Sequence, residues 1–360
     1  MNKIDEFLNN FEHSTQLAYK SALKKYFDTI NKDPNTYIKQ KRQYSDEELE
    51  SYETDIKYFW QQVKHMPPNT VRQYLSVIKV FLQEFYIDLP NKFWNSFKKR
   101  MKGTRTRVQD IVPTKKQFKK IITHGNALEK ALVTTLLSSG MRIGELCQIT
   151  IHDIDFDFQP VKIEIRAEYT KTGNKRTVFI SEESKEFIQE WLKEKPAYLE
   201  RALKILNIPG AQKNIDDDRI FPMASGVARQ KWNRLLRKSG FIEQDTNTST
   251  PRYKIHPHVT RKFYRTWMAK DLGKDMTEYF LGHEEGLDAV YRRYGDDSNK
   301  KLLGDEYLKG MHNVSIFMVT PDLTEHTQQI EALQKENKDL RKDLDTLIRK
   351  LMINNYKPTK

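Results

Sequence analysis

One cysteine, Cys147, stands in 360 residues. An internal disulfide and a cysteine-rich zinc site are excluded, and a reducing cytoplasm is the expected setting. Long apolar runs are absent too. None approaches the roughly eighteen residues of a membrane-spanning helix, and mean hydropathy is −0.77. The opening residues, Met1-Asn2-Lys3-Ile4-Asp5-Glu6-Phe7, have neither the apolar stretch nor the cleavage site of a secretory leader, so the chain is expected to stay where it is made. No internal repeat is visible. Acidic residues are the minority charge, 49 Asp and Glu against 62 Lys and Arg, for a net charge of +13. Such a balance favours a polyanionic partner.

The excess is concentrated. Between Asn91 and Lys120 lie eleven cations, among them Lys98, Lys99, Arg100, Lys102, Arg105 and Arg107, against the single anion Asp110. Phe93, Trp94 and Phe97 precede this run and Ile111-Val112-Pro113 interrupts it. It therefore reads as a segment anchored at both ends and laid along a phosphate backbone, rather than as a solvated linker.

Ahead of the run, helical spacing predicts a small all-helical domain. Residues 12–30 carry Leu17, Tyr19, Leu23, Tyr26 and Phe27, with Ser14 or Thr15 as the N-cap. Further helices fit 45–63, the stretch from Thr70 through Tyr86, and a short segment after Pro90. Behind the run a second domain opens at Val112. An apolar helix over 126–139 is stopped by Gly140, and a short helix follows over 142–150. Two alternating strands span 161–181 with Thr172-Gly173-Asn174 as the turn. Helices then fit 182–195 and 226–239, separated by a polar loop. The organisation expected is mainly α: a helical clamp over 1–100, a basic linker over 101–113, and a mostly helical second domain with a small antiparallel sheet over 114–318. A coiled coil is expected over 322–352, because Ile330, Leu333, Asn337, Leu340, Leu344, Leu347 and Leu351 alternate spacings of three and four. A polar Asn at one a position is a register device that favours self-association over a helix docked on its own protein.

Four separated pieces look chemical. Arg142 follows a glycine break, with Glu145 three residues on. Lys171 lies at the lip of the strand pair. His258 and Arg261 stand at i and i+3, on one helical face. His283 closes a Leu-Gly-His, followed by Tyr291 and Tyr294. Each piece alone commonly has a structural job; together, in this order on a basic chain, they are far more specific.

The set resembles the tyrosine recombinase (phage-type integrase) family over nearly the whole chain except the tail. The resemblance implies Arg142 and Arg261 as the arginine pair, Glu145 as the acidic support, Lys171 as the general acid, and His258 and His283 as the two histidines. It implies attack by a tyrosine on a DNA phosphodiester, giving a 3′-phosphotyrosine without metal, ATP or other cofactor. Guanidinium forks and the histidines, acting as donors, would meet the charge on the non-bridging oxygens. Many members place the nucleophile nine residues after the second histidine. Here position 292 is arginine, and Tyr291 and Tyr294 bracket it; Tyr291 needs the smaller adjustment and is preferred. The second box continues Thr260-Arg261-Lys262-Phe263 where Leu-Arg-His-Thr is commoner. A mobile-element integrase, nucleoid-associated and acting as a tetramer on a specific double-stranded site, is the expectation. Three rivals remain open: a metal-dependent nuclease using His256, His258 and His283; a type IB topoisomerase-like enzyme; and a DNA-binding protein without activity.

Overall fold

The computed structural model describes residues 2–39, 41–101, 110–205, 214–245, 252–283 and 300–318. The chain divides into two compact units, Met1–Gln109 and Asp110–Lys360.

The regular structure among the first unit's described residues is helix: α1 (Lys3–Leu8), α2 (His13–Ile30), α3 (Pro34–Tyr37), α4 (Asp46–Val63), α5 (Pro68–Glu84) and α6 (Asn91–Arg100). Helix α4 starts on a reciprocal cap between Ser45 and Glu48 and buries Tyr52, Ile56, Phe59 and Val63, spaced four, three and four. Helix α5 begins two residues earlier than its spacing predicts, because Pro68 occupies its first turn, where no N–H is needed. The cap of α2 is Glu12, not Ser14 or Thr15. The core is aromatic, with Phe7, Tyr26, Phe59, Phe81 and Phe97 almost completely buried. Each such ring contributes roughly 2 kcal/mol on burial. Phe93, Trp94 and Phe97 of α6 join this core, so the basic run leaves the unit from a fixed helix whose last turn is Lys98, Lys99 and Arg100.

The second unit is built around α8 (Ala127–Ser139), which is buried at every position but Lys130, its hydroxyls and Glu129 included. Packed on it are α7 (Lys115–Thr123), α10 (Glu182–Ile205), α11 (Ser225–Ser239), α12 (His258–Leu281) and α13 (Lys300–Val314). The one-turn helix α9 (Ile143–Leu146) follows α8. The sheet has three antiparallel strands in the order β1 (Ile154–Asp155), β2 (Lys162–Ile165) and β3 (Arg176–Phe179). A second pair, β4 (Gln244–Asp245) and β5 (Arg252–Tyr253), stands apart from it. Asp110 and Ile111, which the sequence groups with the linker, are tied into this unit: Asp110 pairs with His256 and Lys262, and Ile111 N–H donates to the Lys254 carbonyl at 3.0 Å.

Two sequence expectations are revised here. Helix α10 does not end before Pro196 but continues to Ile205. An interior proline costs about 3 kcal/mol; Trp191, Tyr198 and Leu199 packed along the helix offset it. The strand pair is also not a tight hairpin. The last β2–β3 pair is Ile165 with Arg176, so the connection runs over 166–175 and includes a short helical turn at Ala167–Tyr169. Among the described residues no helix is long and apolar enough to cross a membrane. The tail over 322–352 lies outside the described residues.

Candidate active site

Helix α8 ends at Gly140, whose φ of 64° is left-handed. A Cβ there would lie 2.7 Å from a ring carbon of Tyr264, so a side chain is excluded on two counts. The reversal aims the Gly140 carbonyl at Arg261 and starts α9 at once with Arg142 as its N-cap residue. Glu145 folds back on this cap: its carboxylate accepts from the Arg142 backbone N–H at 2.8 Å and from Arg142 Nη1 at 2.8 Å.

Glu145 is 2% exposed, an unusual place for a carboxylate. Burial pushes its carboxyl up, but Arg176 and Arg142 outweigh this and hold it below the usual carboxylate range. Arg176 is the stronger partner, with Nη2 at 2.6 Å and Nη1 at 3.3 Å from the two oxygens. It also donates Nε to the Phe280 carbonyl at 3.3 Å. The sequence reading passed over Arg176, because an arginine at the start of a strand carries no motif; only the fold places it behind Glu145.

Arg261, in the first turn of α12, is 4% exposed. Its Nη1 donates to the Gly140 carbonyl at 2.6 Å, and its Nη2 to the Leu281 carbonyl at 2.8 Å and to His283 Nε2 at 3.1 Å. Both carbonyls belong to helix C-terminal ends, where the dipole favours a cation. Burial, then repulsion from Arg142 and Arg176, lowers its pKa to about 10, and it stays charged at neutral pH. Five N–H donors belong to a guanidinium. Among the described residues three of them have partners.

Helix α12 is broken at Gly273 (φ 75°) and ends in a left-handed Gly282 that turns the chain back over it. His283 follows, with Nδ1 2.5 Å from Glu278 Oε2. The second Glu278 oxygen is taken by Arg265. Glu278 and Arg265 were also missed as site residues, since only the reversal at Gly282 brings Glu278 under the ring. His258 opens α12, is exposed, and stacks on His256 with ring centroids 6.2 Å apart. Crowding by protein atoms, then the charges of Arg261, His256 and Lys262, holds its imidazole below the usual histidine range against the opposing pull of Asp110.

Arg142, Glu145, Arg261 and His283 thus converge, with Arg176 and Glu278 behind them, and His258 lies one turn from Arg261. Lys171 lies exposed in the β2–β3 connection, five residues before Arg176. The base of that connection is fixed by Asp153, which accepts from Arg166 Nε at 2.6 Å. Of the basic run, Lys98, Lys99 and Arg100 are exposed on α6. Lys102, Arg105, Arg107, Tyr291 and Tyr294 lie outside the described residues.

A cluster of guanidiniums, two of them buried and their charges only partly balanced by two carboxylates, is suited to receive an oxyanion. Comparison with known proteins points the same way. Residues 112–300 match the model of the phage integrase family. The tyrosine recombinase XerA of Saccharolobus solfataricus is 23% identical over 306 residues, covering 84% of this chain and 89% of its own length. In fold, the chain is similar to the Tn1549 transposon integrase in complex with transposon right end DNA (TM-score 0.52, 16% identity, 84% of this chain and 98% of that one). It is likewise similar to a lambda integrase dimer bound to a COC′ core site (TM-score 0.50, 16% identity, 82% and 94%). The chain belongs to the phage integrase family and is a tyrosine recombinase.

Proposed function

We propose that this recombinase cuts and rejoins double-stranded DNA at a specific site through a 3′-phosphotyrosine, with no metal or ATP in the chemical step, in the service of a mobile element. The observation that carries the reading is Arg261: a buried, charged guanidinium held by two helix ends, with two donors unclaimed among the described residues and Arg142 beside it. Attack on a phosphodiester puts charge on two non-bridging oxygens, and preorganised arginines meet that charge without reorganisation. Arg142 and Arg261 take this role, with His258 adding a donor and Glu145 fixing Arg142. Lys171, on a long exposed connection, protonates the leaving 5′-oxygen. Tyr291, or Tyr294 in its place, attacks.

DNA as partner is supported by the exposed cations closing α6 and by the relatives, since lambda integrase is known bound to DNA as a dimer and, on a Holliday junction, as a tetramer. The Tn1549 integrase supports the mobile-element setting. Assembly on DNA as a tetramer, with the tail as an added association element, is part of the same reading.

A suicide half-site duplex tests it. With millimolar EDTA and no nucleotide, a covalent protein–DNA adduct is expected. Loss of cleavage in EDTA, restored by Mg²⁺, would replace this reading with a nuclease. Relaxation of supercoiled DNA without strand exchange between two sites would favour the topoisomerase-like alternative.

A further inference from the structure

Lys171 is carried by a succession of hydrogen-bonded turns. Strand β2 ends at Ile165, and the chain enters the short helical turn Ala167–Tyr169 through Arg166. Tyr169 N–H donates to the Arg166 carbonyl at 3.1 Å. Thr170 then binds the Ala167 carbonyl twice, through its N–H at 3.1 Å and its hydroxyl at 3.0 Å. Gly173 N–H returns to the Thr170 carbonyl at 3.4 Å, with a left-handed φ of 73° that suits glycine. Lys171 is the second residue of that last turn and is exposed. Whatever fixes Arg166 therefore fixes the point from which the Lys171 side chain starts.

One buried carboxylate does this. Asp153 is 5% exposed and closes the turn Ile151–Asp153, just ahead of β1. Its Oδ2 accepts from the Thr150 N–H at 2.8 Å and from the Thr150 hydroxyl at 2.7 Å, so the carboxylate is held in its own turn first. Its Oδ1 accepts from Arg166 Nε at 2.6 Å. The Tyr169 hydroxyl reaches Oδ2 at 3.5 Å, a long contact, and the Arg166 guanidinium lies 5.6 Å from the centre of the Tyr169 ring. Both ends of the helical turn are thus tied to one side chain. The anchor belongs to the body of the unit: Thr150 pairs with Arg219 in an isolated β-bridge, and Ile151 N–H donates to the Asp218 carbonyl at 2.9 Å. Capping a three-residue turn needs only Thr150 and Asp153. The arginine and the tyrosine are additional, and both come from the connection that bears Lys171.

We propose that Asp153 is a positioning residue for the leaving-group step: through Arg166 and Tyr169 it sets the turn that presents Lys171 to the 5′-oxygen. The idea rests on the phosphoryl transfer proposed above and adds to it a buried residue that acts only through others. As the bond from phosphorus to the 5′-oxygen breaks, that oxygen keeps the electron pair and takes a proton from the Lys171 ammonium, which is left as an amine. Rejoining returns the proton from the 5′-hydroxyl to the amine. Such a transfer needs donor and acceptor about 3 Å apart. Lysine is a flexible stem with much rotamer freedom, and a fixed starting point narrows the arc its ammonium must search.

Two measurements on the full-length protein test it. The first is single-turnover cleavage at saturating protein of duplexes with oxygen or sulfur at the 5′-bridging position, since a sulfur leaving group needs no proton. On oxygen, Lys171→Ala is expected to be slowed roughly a hundredfold or more, and Asp153→Asn and Arg166→Leu roughly tenfold or more. On sulfur all three are expected to recover the unmodified rate. Arg166 is exposed, so its variant keeps the test open if Asp153→Asn fails to fold. Asp153→Asn added to Lys171→Ala should slow the oxygen duplex no further. Equal slowing of Asp153→Asn or Arg166→Leu on both duplexes would make the contact merely structural. Unmodified rates on oxygen would make it idle, and a Lys171→Ala that stays slow on sulfur would remove the acid being positioned. Each overturns the proposal. The second measurement needs no DNA. In either Asp153→Asn or Arg166→Leu the amides of Tyr169 and Thr170 should exchange with solvent faster by roughly tenfold, the loss of one hydrogen bond to a charged group; unchanged exchange overturns the proposal as well. If the unmodified protein cleaves neither duplex, the proposed function falls and the positioning role with it, while exchange still shows whether Asp153 holds the turn.

Discussion

Arg176 and Arg142 are bound to the same buried carboxylate, that of Glu145, yet their exposures differ fourfold, 8% against 33% of the side chain. The two arginines should therefore separate stability from chemistry. Arg176→Ala leaves a buried carboxylate short of its stronger partner and is expected to cost about 3 kcal/mol. Arg142→Ala opens onto solvent and should cost about 1 kcal/mol or less, while abolishing adduct formation. Thermal unfolding and half-site trapping of both variants decide this; equal stability loss would show that Arg142 is structural.

The same carboxylate sets a pH dependence. The folded pKa of Glu145 lies below its unfolded value, so its contribution is fully present above the unfolded value of roughly 4.3 and is lost as pH falls through the depressed folded value. Denaturant midpoints measured at neutral pH and near pH 3 should fall less steeply in Arg176→Ala than in the unmodified protein. An identical fall in both would mean that Glu145 is not the group responsible.

Gly140 links core to site, because its N–H closes α8 on the Leu136 carbonyl while its own carbonyl anchors Arg261. Gly140→Ala is expected to destabilise by about 2 kcal/mol or more, through the left-handed φ and the contact with Tyr264. It should also slow cleavage beyond what the remaining folded fraction explains. A variant of normal stability and rate would show that Tyr264 yields freely.

How much of this the sequence disclosed depends on the range of the interaction. Local spacing reveals α4, α5 and α8, because their caps and apolar faces are written within one element. The Arg142–Glu145 and His258–Arg261 pairs are legible for the same reason. Arg176 meets Glu145 across 31 positions, and nothing near either residue announces the other. Glu278 escapes although it is only five residues from His283, because their contact needs the chain reversal at Gly282. Pro196 misled for a different reason. Its local cost is real, but tertiary packing along α10 outweighs it.

The basic run makes a prediction about salt. Replacing Lys98, Lys99, Arg100 and Lys102 by Gln should lower the slope of log affinity against log salt, by roughly 0.9 for each phosphate of B-form DNA no longer neutralised. Binding titrations at several salt concentrations check it. An unchanged slope would make these side chains solvated bystanders, and the packing of Phe93, Trp94 and Phe97 beneath them purely structural.

The tail's heptad spacing predicts association. Deleting residues 322–360 should abolish self-association without DNA and leave half-site cleavage intact, while Asn337→Leu should tighten association and relax its stoichiometry. Sedimentation of the full-length protein tests this; a monomer at high concentration would mean that the heptads serve a helix docked on its own chain.

The nucleophile itself is decided by a hydroxyl. Tyr291 lies eight residues after His283 and Tyr294 eleven, on either side of the spacing that the family resemblance implies. Tyr291 needs a one-residue adjustment and Tyr294 two, which favours Tyr291. Phenylalanine removes only the oxygen at either place, so ring packing is kept and any loss reports chemistry. Tyr291→Phe should bind DNA normally and form no covalent adduct, while Tyr294→Phe should keep forming it. The reverse pattern would move the nucleophile to Tyr294. Adducts that survive in the double variant would remove both residues from the reaction.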